Sequence, residues 1–236
     1  MEKRKDRIIV ALDVDDIDTL RNLADKLYPA IRIFKLGCHL FTACGGEAIN
    51  MLTLKGAKIF LDLKFHDIPS VVAKAASVAA HYGVFMFNVH AMGGAEMMSR
   101  SVKAAAETAE RLKIKKPLIL GVTLLTSMGK KELKELDIEK DPRDHVLFLA
   151  DLAKKAGLDG VVASPEEIEP IKKNLGEDFL VVTPGIRPEW ADKNEQKRLA
   201  TPKEAFDRGA DYIVIGRPII EAEDPKAAAE RIINEL

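Results

Sequence analysis

Residues 57–69 read AKIFLDLKFHDIP, Ala57 to Pro69, and the way this stretch handles its charges decides the fold. Ile59, Phe60, Leu61, Leu63 and Phe65 give it the apolar density of a buried strand, yet Asp62, Lys64 and Asp67 place two carboxylates and an ammonium toward its C-terminal end. Burying an unpaired charge costs several kcal/mol, on the order of the net stability of a whole domain. A strand whose end opens onto a shared polar mouth resolves this conflict. Side chains alternate along a strand, so Asp62 and Lys64 are expected to face that mouth together, with Leu61, Leu63 and Phe65 turned toward covering helices.

Outward from this stretch, the rest of the chain repeats the unit. Strand-like runs occupy 7–13, 30–37, 58–64, 84–91, 117–125, 159–164, 179–185 and 211–216, the eight that a closed parallel barrel needs. Helical spacing fills the gaps at 17–27, 40–54, 71–80, 95–112, 146–156, 165–174, 202–208 and 225–236. Many of these segments end in a glycine followed by an apolar residue, at Gly56, Gly83, Gly157 and Gly209, the signal of a helix C-cap leading into the next strand. No Ser/Gly-rich linker or low-complexity segment interrupts the alternation. The expected fold is α/β, a (β/α)8 barrel of the TIM type, occupying 1–236 as one domain. The competing doubly wound sheet lacks its GxGxxG fingerprint, because LDVDDID follows the first strand.

Composition narrows function. Lys plus Arg total 36 against 37 Asp plus Glu, for a formal net charge of -1, so no general pull toward nucleic acid or an acidic membrane is expected and any bound anion must be held locally. The N-terminus MEKRKDRIIVALD has no apolar leader region, and no stretch approaches about 18 uncharged apolar residues; a cytoplasmic protein is the reading. Cys38 and Cys44 form neither a redox pair nor a metal knuckle and read as ordinary thiols. His39, His81 and His145 have no ligand spacing. His66 should point away from Lys64, and His90, in NVHAMGG, reads as a structural residue near the mouth.

Active sites of such barrels lie at the C-terminal strand ends. Asp13 closes the first strand, Lys35 stands near the end of the second, and Asp62 and Lys64 near the end of the third. One acid or lysine at a strand end is most simply a solvated ion pair; several at three consecutive strand ends point to a shared site. A second constellation lies in TPGIRPEW (183–190) and IVIGRPII (213–220), where Gly, Arg and Pro follow apolar strands. Loops after the last two strands of this fold commonly cradle phosphate. Gly216 is expected to let the backbone approach closely, with Arg187 and Arg217 supplying forked hydrogen bonds. The polar segment 188–202 has the make-up of a closing lid.

Asp13, Lys35 in FKLG, the D-x-K-x-x-D-I-P of Asp62, Lys64, Asp67, Ile68 and Pro69, the stretch Leu125-Thr126-Ser127-Met128, Pro184-Gly185-Ile186-Arg187 and Ile215-Gly216-Arg217-Pro218 occur in this order along nearly the whole chain. In this the sequence resembles the orotidine 5'-phosphate decarboxylase family. The resemblance implies conversion of orotidine 5'-phosphate to UMP and CO2, the last step of de novo UMP synthesis, with no metal or organic cofactor. It implies a catalytic array of Lys35, Asp62, Lys64 and Asp67, with Lys64 as proton donor to C6 and Asp67 reaching across a homodimer interface into the partner's site. By the same resemblance Asp13, Lys35 and the partner's Asp67, with Ile68 beside it, would meet the ribose. Thr126, Ser127 and Pro184 would line the pyrimidine, Gln196 would bridge base and phosphate, and Arg187, Gly216 and Arg217 would hold the phosphate.

The sequence departs from the family at Ser70 and Val71, where Asn-Thr is common, so a ribose-directed threonine hydroxyl is missing. Two alternatives remain at this stage. A magnesium-dependent sugar-phosphate decarboxylase or aldolase of the same wider group shares D-x-K-x-x-D but carries an acid where Lys35 stands, and an ammonium there would repel Mg²⁺. A barrel that binds a phosphate ligand without turning it over would have no need of Lys64 beside two carboxylates.

Overall fold

The computed structural model describes residues 2–191 and 199–236. Eight parallel strands close on themselves in sequence order: β1 (Ile8–Ala11), β2 (Ile33–Gly37), β3 (Lys58–Phe65), β4 (Met86–His90), β5 (Leu118–Val122), β6 (Gly160–Val162), β7 (Leu180–Thr183) and β8 (Tyr212–Ile215), with β8 pairing β1. The expected barrel is thus present, and helices alternate with its strands.

The two-residue period of the strands divides the apolar residues between two cores. Ile9, Ile33, Phe60, Met86, Leu120, Val182 and Val214 pack inside the barrel. Their neighbours Val10, Phe34, Leu61, Phe87, Ile119, Val181 and Ile213 pack outward with the helices. Fully burying a large side chain such as Phe34 or Phe87 contributes about 1.5–3 kcal/mol, so the alternation itself drives closure.

Most strands are shorter than the runs that announced them, because the ladder stops where the loops take over; 117–125 contributes only Leu118–Val122. The helical span 40–54 is two helices, Cys38–Cys44 and Gly46–Leu54, broken at Gly45, whose φ of 56° and ψ of -143° cannot continue a helix. The helix expected at 146–156 begins earlier, at Pro142, because Asp141 caps it and Pro142 suits its first position. The one expected at 165–174 begins later, at Ile168. Two short helices, Lys130–Glu135 and Arg217–Ile220, carry too little periodicity to be read from sequence. Gly157 follows the C-cap of its helix at φ 87°, as the glycine signal requires.

Candidate active site

The end of β3 is not a regular strand. Leu61 pairs with Phe87 and the next registered pair is Phe65 with Val89, so three residues of β3 stand opposite Asn88 alone. Within this bulge Lys64 takes a left-handed φ of 51°, a conformation that costs a lysine roughly 1–2 kcal/mol and that its surroundings must hold in place. Asp62 and Lys64 do converge, as expected, but through the bulge and not through a continuous pleat: Lys64 Nζ lies 2.7 Å from Asp62 Oδ1. Leu61, Leu63 and Phe65 pack on the helix side.

Lys35, from the β2 end, completes a row of alternating charge. Its Nζ is 3.4 Å from Asp62 Oδ2 and 3.1 Å from Asp13 Oδ1. Lys35 and Asp62 are both 9% exposed, and ions so buried cost several kcal/mol each unless every neighbour is a counter-ion, which the order Asp13, Lys35, Asp62, Lys64 provides. A Cβ on Gly37 would stand 2.9 Å from Lys35 Nζ and 3.1 Å from Asp13 Oδ1, so a larger residue there would push the lysine tip out of its present position in this pair. The Lys35 ammonium stands between the two carboxylates, where a divalent ion shared by them would have to sit.

Lys35, Asp62 and Lys64 open onto a cavity of about 240 Å³. Phe60, Val122, Val162 and Val214 give it apolar lining, and Thr126, Ser127 and Pro184 also line it. Charge held at the edge of an apolar cavity acts through a low dielectric, where electrostatic interactions are far stronger than in water.

Arg187 and Arg217 line a second cavity of about 260 Å³ with Trp190, Pro218 and Glu221. Arg187 is 7% exposed, and its Nε is buried with no hydrogen-bond partner among the described residues. Burial first, and then the neighbouring Arg217, lower the pKa of this guanidinium, while Glu221 acts the other way. Two guanidiniums lining one cavity are chemically suited to hold an anion between them. Gly216 caps the helix that Arg217 begins; a Cβ there would meet Ala11 at 3.5 Å, ordinary contact, so the chain's own packing does not demand the glycine.

Asp67 stands apart from the array. It is exposed, its Oδ1 accepts from the Ile68 N–H at 2.6 Å, and no ion pair joins it to Lys35 or Lys64 among the described residues. Ile68 beside it is 63% exposed. Gln196 lies outside the described residues, as does the centre of the expected lid. His66 is exposed and stacks on His90 at 5.2 Å. Burial, then His66, then Lys64 push the His90 imidazole down to about 4, so near neutral pH it adds no charge to the site.

Asn88 was missed in the sequence. It is wholly buried, accepts from the Lys64 N–H through Oδ1 at 2.8 Å and donates to Asp62 Oδ1 through Nδ2 at 2.7 Å. Its one signal was a polar residue inside the apolar run VFMFNVHA.

Fold and site together define a parallel (β/α)8 barrel protein with a lysine–carboxylate array and a pair of cavity-lining arginines at its C-terminal mouth. The sequence profile of the orotidine 5'-phosphate decarboxylase / HUMPS family matches residues 6–232, and the chain belongs to that family. It is 48% identical to an orotidine 5'-phosphate decarboxylase of Geobacter metallireducens, over 100% of this chain and 98% of the relative. It is 50% identical to one from Pseudoalteromonas translucida, over 96% of this chain and 94% of the relative. Among solved structures it is similar to the orotidine 5'-phosphate decarboxylase of Lactobacillus acidophilus, with a TM-score of 0.86, 41% identity and 97% of each chain covered. No described helix is long and apolar enough to cross a membrane.

Proposed function

We propose that the protein decarboxylates orotidine 5'-phosphate to UMP and CO2, the last step of de novo UMP synthesis, without a metal or organic cofactor. The observation that carries this reading is the row Asp13, Lys35, Asp62, Lys64, with contacts of 3.1, 3.4 and 2.7 Å, ending in an ammonium at the edge of an apolar cavity. The full-length relatives named for this reaction support it. The magnesium-dependent alternative fits poorly with Lys35 between the two carboxylates.

In this reading the phosphate binds Arg187 and Arg217 beside Gly216, with Gln196 bridging from the loop to the base. The pyrimidine lies against Thr126, Ser127 and Pro184, which puts its carboxylate near Asp62. Asp62 is held by Lys35, Lys64 and Asn88 and cannot swing away, so it opposes the substrate carboxylate. The bond from C6 to the carboxylate carbon breaks, CO2 leaves, and the electron pair stays on C6. The Lys64 ammonium stabilises that carbanion as it forms and then delivers its proton to C6, a stabilisation realised mainly in the transition state. Solvent reprotonates the amine.

Asp13 and Lys35 meet the ribose, together with Asp67 of a second copy. Asp67 is exposed and lies outside its own chain's array, and the exposed apolar residues Ile68, Val71 and Met92 on the β3 and β4 connections are suited to cover by that copy. The enzyme is read as a cytoplasmic homodimer.

The test is the ultraviolet absorbance of orotidine 5'-phosphate with protein in excess EDTA, beside Lys64→Ala. Rapid loss of the orotidylate band, abolished in the variant, is expected. Turnover only after Mg²⁺ is restored, or tight binding with no product, would sink the assignment.

A further inference from the structure

The geometry points to Asn88 as a positioning residue for the proton donor. This role rests on the proposed reaction and assigns the device that aims Lys64. The ladder between β3 and β4 stops at Leu61 and Phe87 and resumes at Phe65 and Val89, so residues 62–64 have no regular partner on β4, although Asp62 still pairs with Gly37 on β2. The Asn88 side chain takes the place of the missing ladder. Its Oδ1 accepts from the Lys64 N–H at 2.8 Å, and its Nδ2 donates to Asp62 Oδ1 at 2.7 Å, the same oxygen that accepts from Lys64 Nζ at 2.7 Å.

One amide therefore clamps both ends of the Asp62–Lys64 pair. It fixes the backbone of Lys64 at φ 51°, which sets where its side chain starts, and it fixes the carboxylate that orients the ammonium. The network settles the orientation of the amide, since the reverse would set the NH₂ against an N–H and the carbonyl against a carboxylate. Few side chains can serve. The position needs one acceptor and one donor on a short planar group without net charge, in a site with no exposure. Aspartate offers the acceptor but puts a second carboxylate against Asp62, and alanine offers neither partner.

The experiment compares Asn88→Ala and Asn88→Asp with the wild type in the metal-free decarboxylation assay, over pH, with KM, thermal melting and affinity for UMP measured alongside. A misplaced reacting group costs on the order of 10²-fold, so Asn88→Ala is expected to lose about that much in kcat with KM and UMP affinity nearly unchanged, because Arg187 and Arg217 are untouched. The near-isosteric Asn88→Asp guards against a cavity that unfolds the alanine variant, and it gives a readout that loss of packing cannot imitate. Two adjacent carboxyls retain a shared proton to higher pH, and a protonated carboxyl can donate to Asp62 while its other oxygen accepts from Lys64 as the amide does. Its kcat relative to wild type should therefore rise as pH falls.

A kcat for Asn88→Ala within threefold of wild type would overturn the role. So would equal losses of kcat and UMP affinity, or an Asn88→Asp activity ratio flat in pH, either of which would leave Asn88 a packing residue. An inert wild type would instead defeat the proposed reaction, and this role with it.

Discussion

Lys64 and Arg187 are both cations whose surroundings are set for something the chain does not itself provide. Lys64 sits in a left-handed turn of a bulge, paired on one side to Asp62; Arg187 is buried, its Nε without a partner among the described residues, and lines a cavity together with Arg217. Charge-assisted hydrogen bonds contribute about 1.5–3 kcal/mol each. Arg187→Ala should therefore lower kcat/KM for orotidine 5'-phosphate by about 10- to 100-fold, carried mainly by KM, in steady-state kinetics; an unchanged KM would place the phosphate elsewhere. The identities of these residues were legible in D-x-K-x-x-D and GIR. Their states were not: the burial of Arg187, the left-handed φ of Lys64 and the clamp from Asn88 all depend on neighbours distant in sequence.

Acid–lysine pairs occur at both ends of the strands, and the element that carries a pair decides what it does. At the C-terminal ends Lys35 and Lys64 flank Asp62 beside a cavity. At the N-terminal ends Lys116 pairs with Asp159, whose carboxylate also accepts from the Ile119 N–H. There too the 6% exposed Lys172 pairs with Asp211 at 2.7 Å and donates to the Glu177 and Phe179 carbonyls. Those contacts tie the starts of neighbouring strands to each other and to the helix that carries Lys172, and read as stability. Removing one partner of a buried pair costs about 3–5 kcal/mol, so Lys172→Ala should lower the unfolding free energy by about 3 kcal/mol in denaturant titration while leaving kcat within twofold. A large fall in kcat at unchanged stability would contradict this division of labour. Strand positions and the glycines after helices were readable from period and caps. The bulge in β3 was not, because KIFLDLKF alternates well enough to pass for a regular strand until its register against β4 is known.

At the scale of the whole molecule, the described chain holds Asp13, Lys35, Asp62 and Lys64 in one row and leaves Asp67 outside it. If Asp67 serves a second copy, Lys64→Ala and Asp67→Ala, each nearly inert alone, should regain activity when mixed under conditions that exchange subunits, because one site of the mixed dimer is then free of both lesions. No recovery, with exchange shown by a mass tag, would mean that Asp67 acts in its own chain.

The barrel is written locally, in eight alternating apolar runs whose two-residue period allows an inner and an outer core, and so is the placement of charges at strand ends. Which carboxylate meets which ammonium, how Gly37 and Asn88 make room for and clamp the array, and the burial of Arg187 emerge only when the barrel closes. Those facts follow from register and closure, which bring residues tens of positions apart within 3 to 4 Å, and no local pattern encodes such distances.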